Sequence, residues 1–350
     1  MTDERTTAII VGAGVAGLAT ADLLNQASCS SITLEARHRA GGRLVSDQHG
    51  LDQGASWFWP GEHRVASMVK RFGVATHEQH LDGDAMYDDA NQTVRLDGNP
   101  IDVASFRFAT GADSLTVALT ESITDHSNSH MRLDSHVQSV KTNDNGATVT
   151  LDTGTTFAAD HVVIALPPAL AAATIAISPD LSPFERQLIE RTPVWMGAIT
   201  KVVARYRSAF WRADGLSGAA ISHRGPMREI HDLSGPDGMP AALFGFASTT
   251  SASGPISRSE VLEQLVRIFG DQAGGPVELT LTDWRSETLT SPPEVERLTE
   301  YATFGHPAYQ QPMLNGRLHW VSTETAPTGA GHIEGALAAA ERTAAHIAAH

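Results

Sequence analysis

Cysteine is all but missing. Cys29 stands alone in 350 residues, which excludes an intrachain disulfide framework and suits a reducing compartment. Cys29 itself, in the loop before a short apolar run, reads as a small packing residue rather than a redox centre. Basic residues are also scarce. With 25 Lys and Arg against 40 Asp and Glu, the formal net charge is −15, the wrong sign for a nucleic-acid surface. Long apolar runs are absent as well. The longest, Val162 to Ile177, is broken by Pro167-Pro168 and falls short of the ~20 residues that span a bilayer. With a polar start, Met1 to Thr7, and no signal peptide, the chain is expected in the cytoplasm. His77-Glu78-Gln79-His80 lacks the i, i+4 histidine spacing of a zinc helix, so no metal is expected and the segment reads as a solvated loop.

What remains is an ordinary globular composition, 41% hydrophobic and 19% charged, long enough for two domains at roughly 150 residues each. The richest signal lies at the start. Ala8-Ile9-Ile10-Val11 leads into Gly12-Ala13-Gly14-Val15-Ala16-Gly17, a helical stretch runs from Val15 to Gln26, and Ile32-Thr33-Leu34 ends in Glu35-Ala36-Arg37. This is strand, glycine turn, helix, strand, acid. Gly12 permits the tight turn, Gly14 clears space for a pyrophosphate, and Gly17 lets helix and strand approach closely. The helix N-terminus, with Ala16 in its first turn, offers N–H groups and a positive dipole end to phosphate. Glu35 falls where an acid hydrogen-bonds ribose hydroxyls, about 20 residues beyond the glycines. The segment is read as a dinucleotide site.

Downstream, periodicity alternates between α and β without repeats. Helices are expected at Val65 to Phe72, stopped by Gly73, and at Leu115 to Ile123. Hairpins are expected around Asp89-Ala90-Asn91 and Asn143-Asp144-Asn145-Gly146. From Ser182 strands outnumber helices: Ile199 to Tyr206, Gly218 to Ser222, Ala241 to Phe246 and Val277 to Asp283. One helix, Arg258 to Phe269, is framed by the capping box Ser257/Glu260 and by Gly270. After Pro293 the chain returns to the first texture, with a strand at Leu318 to Val321 and a helix from Ile333. The expected architecture is α/β: a doubly wound Rossmann-like domain (1–75, 105–170 and 290–350) and a second α+β domain on a mainly antiparallel sheet (76–104 and 171–289).

Gly41-Gly42-Arg43, after Glu35-Ala36-Arg37, resembles the second signature of the FAD-dependent amine oxidase and desaturase superfamily. Four further segments extend the resemblance to flavin amine oxidases over nearly the whole chain. They are Asp52-Gln53-Gly54-Ala55-Ser56-Trp57, Val162 to Pro168, Met196-Gly197-Ala198-Ile199-Thr200-Lys201-Val202 with Phe210-Trp211, and Ser322-Thr323-Glu324-Thr325-Ala326 with Gly331-His332-Ile333-Glu334-Gly335-Ala336. The resemblance implies a glutathione-reductase-type FAD fold and non-covalent FAD, because no cysteine precedes the C-terminal strand. It implies cofactor contacts from Gly12, Gly14, Ala16, Gly17, Glu35, Ala36, Arg37, Gly42, Arg43, Gly54, Ala55, Ser56, Val137, Thr323, Glu324 and Ile333. Arg37 and Arg43 are donors suited to phosphate charge.

Three residues are the catalytic candidates. Lys201, inside an apolar strand, matches the family lysine that holds a water near flavin N5, and burial would lower its pKa. Trp284 resembles a tryptophan near the flavin, or is a core aromatic. His332 replaces one ring of the family's aromatic pair and reads as a cage wall, a proton acceptor or a helix cap. The second ring falls near Glu300, Tyr301 and Phe304. The implied reaction is oxidation of an amine, with hydride passing to the flavin, hydrolysis of the imine and reduction of O2 to peroxide. A carbon–carbon desaturase or a non-catalytic flavin-binding protein fits the same fold.

Overall fold

The computed structural model describes residues 5–125, 128–248, 254 and 256–349. The first strand (Thr6–Val11) ends at Gly12, whose φ of +103° is the left-handed turn that glycine makes without strain. The first helix (Val15–Gln26) follows at once, and the second strand (Ser31–Leu34) returns parallel to the first. Parallel pairing continues from these to Ser129–Arg132 on one side, and to Thr156–Ile164 and then Leu318–Trp320 on the other. The first half of Thr156–Ile164 pairs instead with the hairpin Val137–Asn143/Gly146–Leu151. One strand thus belongs to two neighbourhoods, and the sheet has eight strands.

Helices Val15–Gln26, Asp113–Thr124 and Ile333–Ala348 cover one face through Leu18, Leu24, Leu115, Leu119, Leu337 and Ala340. Alanines along this interface keep the helices close, and Gly17 lets the first helix press against the Gly12 turn. The opposite face is filled by Ile9, Val11, Val140, Val162, Ile164, Tyr309 and Trp320. Both faces being covered, the central strands read as continuous apolar runs.

The second domain is a seven-stranded sheet. Ile199–Tyr206, Ala241–Ser248, Met227–Asp232, Leu216–Ser222 and Glu278–Asp283 pair antiparallel, and Asp84–Asp88 joins parallel to Leu216–Ser222. The hairpin Asp84–Asp88/Thr93–Arg95 therefore reaches this sheet from far earlier in the chain. Helix Arg258–Phe269 carries the capping box at Ser257 and Glu260 and packs Val261, Leu265 and Phe269 beneath the sheet. Its register is pinned by Asp88, whose carboxylate receives Arg224, Arg267, Ser222 and Thr93.

A three-stranded sheet, Trp57–Phe58, Phe106–Phe108 and Thr76–Glu78, lies at the junction. Here the solvated-loop expectation for residues 77–80 fails. His77 pairs in the sheet opposite Arg107, and Gln79 is buried between the Trp57 indole N–H at 3.0 Å and the Asp232 carbonyl at 2.9 Å. Polarity misled the reading: Gln79 finds tertiary partners rather than water, and both His77 ring nitrogens are buried without a hydrogen-bond partner among the described residues. Burial, with the nearby Arg107 charge, lowers His77 to about 4. Among the described residues no group of three or more His, Cys, Asp or Glu is disposed to hold a metal ion. Among them, too, no helix is long and apolar enough to cross a membrane.

Candidate active site

Two structures meet at the C-terminal ends of the parallel strands. The first is a cradle of backbone. A Cβ on Gly14 would meet nothing within 4 Å, so the space before the first helix is open where a pyrophosphate needs it. Gly17 is different: its Cβ would stand 2.0 Å from the Gly12 carbonyl oxygen, so this glycine serves packing. Gly42 leans on Gly14, its Cβ position 3.1 Å from the Gly14 Cα, and the Gly41 N–H donates to the Ala13 carbonyl at 2.8 Å. The Glu35 carboxylate accepts the Ala13 N–H at 2.8 Å and the Arg37 N–H at 2.9 Å, which fixes it at the strand end with further lone pairs for hydroxyl donors. Gly12, Glu35, Ala36, Arg37 and Val137 line one cleft with Leu166 and Leu170. This open cleft, its orphan helix N–H groups and the acid at its strand end fit a dinucleotide.

The two arginines beside this cleft are both paired with protein groups. Arg37 donates to Thr290 at 2.8 Å and to the Glu287 carboxylate at 3.3 Å. Arg43 holds Glu324 in a two-pronged pair at 2.7 and 3.2 Å and also reaches the Trp195 carbonyl at 3.1 Å. Glu324 is fully buried; burial alone would raise its pKa, but the Arg43 charge and hydrogen bonds bring it below the ordinary value. The pair ties the Gly41-Gly42 loop to the C-terminal turn. Thr323, beside it, donates to the His332 carbonyl at 2.8 Å, and Ile333 opens the C-terminal helix buried behind them.

The second structure is built of side chains. Lys201 is 1% exposed; its ammonium donates to the Gly54 carbonyl at 2.8 Å and to Ser56 Oγ at 2.5 Å. It lies 4.4 Å from the Phe244 ring centre. Three N–H donors against these two acceptors leave one over. Burial, reinforced by the Arg107 charge and opposed by Asp52, pushes Lys201 well below its usual value. The loop that receives it is tightly set. A Cβ on Gly54 would lie 1.8 Å from the Arg43 carbonyl oxygen, and Ala55 N–H donates to that same oxygen at 3.1 Å. Trp284 stands behind this loop, buried, its indole N–H donating to the Gln53 carbonyl at 3.0 Å. It buttresses the Lys201 acceptors rather than joining the aromatic surface.

That surface runs from Lys201 through Phe244, Trp57 and Trp59 to His332. Trp57 lies 5.0 Å from Phe244 and 6.1 Å from Trp59, and Trp59 stacks on His332 at 4.6 Å. His231 abuts Trp57 edge-on at 5.1 Å and is held by Asp102 at 2.6 Å. Sequence reasoning placed Asp52 in the loop segment without giving it a role, and missed Arg107, Glu62, Trp195 and the His231/Asp102 pair as members of this region. Asp52 and Arg107 are buried charges around Lys201, and a carboxylate beside the Gly54 loop was the only local hint of them. Trp195 closes the entrance to the C-terminal helix, where a Cβ on Gly331 would meet its ring at 2.8 Å. Nothing in the chain's local pattern marks these long-range contacts.

A glycine-lined cleft at the parallel strand ends and a buried lysine beside it suit a nucleotide-dependent oxidoreductase. A family model for flavin containing amine oxidoreductases matches residues 101–348, and one for NAD(P)-binding Rossmann-like domains matches residues 10–72. The chain belongs to the flavin containing amine oxidoreductase family, whose cofactor is FAD. It is 31% identical over 232 residues to the "Probable flavin-containing monoamine oxidase A" of Dictyostelium discoideum, covering 62% of this chain and 48% of that protein. It is 22% identical to the flavin-containing amine oxidase of Danio rerio, covering 99% of this chain and 86% of that one. Its fold matches putrescine oxidase bound to putrescine with a TM-score of 0.85 at 23% identity, over 99% of both chains.

Proposed function

We propose that this chain is an amine oxidase that uses O2, taking a small amine at the aromatic wall between Lys201 and His332. Family membership supports the reaction class, and the putrescine-bound neighbour supports a small amine as substrate. The single observation that carries the site reading is Lys201: a buried ammonium anchored by Gly54 and Ser56 with one donor left over. When bound, FAD supplies a hydride acceptor for the amine's α carbon, the resulting imine being hydrolysed and the electrons passing to oxygen as hydrogen peroxide.

The chain's own groups do the rest. The first-turn N–H groups at Val15, Ala16 and Gly17 receive pyrophosphate, and Glu35 receives ribose hydroxyls. The Arg43–Glu324 pair holds the two loops on either side of the cleft in register. Lys201 offers its remaining N–H to a water or to reduced oxygen, and its lowered proton affinity suits it to give up a proton. Trp57 and Trp59 present ring faces that favour a cationic head group, and Phe244, buried beneath the Lys201 ammonium, packs behind them. The scarcity of cysteine supports the cytoplasm as its place of work.

The test is anaerobic titration of the yellow protein with putrescine, hexylamine, benzylamine and N-methylbenzylamine while flavin absorbance is followed. Bleaching reversed by air with release of peroxide is expected. A flavin that no amine bleaches would replace this reading with a desaturase or a non-catalytic flavoprotein.

A further inference from the structure

Glu62 has no part in the chemistry described so far, yet its two oxygens tie two segments of the site together, its own turn and the start of the C-terminal helix. It closes the turn Trp59-Pro60-Gly61-Glu62 just before helix His63–Phe72. One oxygen accepts the Trp59 backbone N–H at 2.9 Å; the other accepts His332 Nδ1–H at 2.6 Å. The Trp59 indole lies nearly parallel over the imidazole, tilted 27°. The ring is therefore held at one edge by a carboxylate and over one face by an indole. A carboxylate only accepts, so Nδ1 carries the proton, and in the neutral ring Nε2 holds the lone pair. Exposure divides the pair: the Glu62 side chain is 11% exposed and the His332 ring 38%, so the ring meets incoming molecules and the carboxylate does not.

Among the described residues, the other charged groups of the elements around His332 are engaged elsewhere. Glu334, on the next position of the helix, accepts from the Arg64 guanidinium at 3.1 Å and from the backbone N–H groups of Arg64 and Val65. Arg64 also pairs with Glu341 at 2.6 Å, and Glu324 pairs with Arg43. His63 beside Glu62 is exposed. His332 stands at the N-cap of the C-terminal helix, and Glu62 is the carboxylate in hydrogen-bond contact with its ring.

This geometry meets a requirement of amine oxidation. An alkylamine near neutral pH is an ammonium ion, with no nitrogen lone pair to assist departure of hydride from the neighbouring carbon. We propose that His332 Nε2 takes the proton of the bound substrate ammonium, and that Glu62 is the positioning residue that fixes the imidazole and offsets its charge. The N–H bond of the ammonium breaks, its electron pair stays on nitrogen, and a new N–H bond forms at Nε2. The proton is returned to solvent from the exposed ring edge after turnover. The inference rests on the amine-oxidation reading above.

The experiment compares wild type, Glu62→Gln and His332→Phe, each with FAD bound by its visible spectrum, using whichever of the four amines bleaches the wild-type flavin fastest. The pH dependence of kcat/KM is measured for each. His332→Phe, which keeps a ring at the wall, should move the acid limb up toward the amine's own range, losing roughly 10–100-fold near neutrality and recovering in alkali. Glu62→Gln should move the acid limb to lower pH and reduce kcat about 10-fold. In 15N-histidine spectra it should also loosen the fixed Nδ1–H tautomer, a readout independent of activity. A His332→Phe profile that overlays wild type overturns the proton transfer. An unchanged profile and an unchanged tautomer in Glu62→Gln overturn the positioning role. If no amine bleaches wild type, the amine reading itself falls, and that result is distinct because it precedes any variant.

Discussion

The cofactor cradle and the domain junction solve the same problem, a defined surface for a ligand, with different materials. The cradle is made of backbone: Gly12, Gly14, Gly17, Gly41 and Gly42 press main chain against main chain, and Glu35 is held by two amides. The junction is made of side chains brought from four stretches of sequence. Lys201, Ser56, Phe244, Trp57, Trp59 and His332 touch only because two sheets and the C-terminal helix converge. A backbone cradle tolerates little change and repeats from protein to protein. A side-chain wall can be rebuilt one residue at a time without disturbing the backbone beneath it.

The sharpest way to break the comparison lies within the cradle itself. Gly14→Val should abolish FAD binding while leaving the fold intact, since its Cβ meets no protein atom. A colourless protein with an unshifted thermal transition is the expected result. Gly17→Ala should do the reverse, destabilising the fold by about 1–3 kcal/mol because its Cβ lands on the Gly12 carbonyl. Loss of colour there should follow loss of melting temperature.

At the junction, Lys201→Met should leave FAD bound and slow reoxidation by oxygen roughly 10–100-fold in stopped-flow mixing. It should also cost some stability, because the Gly54 carbonyl and Ser56 lose their donor and buried Asp52 loses a neighbouring cation. Unchanged reoxidation would remove Lys201 from the oxygen half-reaction.

A charge that only holds structure should behave differently again. Burial alone would raise the Asp88 carboxyl, but hydrogen bonds from Arg267, Arg224, Ser222 and Thr93 hold it well below the usual carboxylate range. A depressed folded-state value means that its stabilisation is complete above about pH 4, the unfolded value, and is lost as pH falls below it. Asp88→Asn should cost about 2 kcal/mol at neutral pH, the two arginines being about one third exposed, and should flatten the loss of stability below about pH 4 in urea titrations. The smallest effect is expected at Cys29, where serine should change stability by less than about 0.5 kcal/mol and leave turnover untouched.

Several elements were legible because their signals are local. Helix Val15–Gln26 and its glycine turn, the hairpin at Asn143-Asp144-Asn145-Gly146 and the capping box of Arg258–Phe269 depend on residues a few positions apart. Strand Met227–Asp232 was not legible: Arg228, Glu229 and His231 hide its β pattern, and its place is fixed by pairing with Ala241–Ser248. Helix Pro183–Arg191 was missed although Ser182 and Glu185 form a capping box, because it sits where strands were expected.

The same division holds for the whole molecule. Sequence alone determined the strand–glycine turn–helix at the start of the chain, the α/β fold class and the family, since those rest on short motifs whose geometry each carries within itself. Only the tertiary structure decided that Arg43 serves Glu324, that Trp284 stands behind the Gly54 loop, and that Glu62 grips His332 from 270 positions away. Ion pairs and ring contacts of that kind are set by the packing of distant elements, which no local spacing encodes.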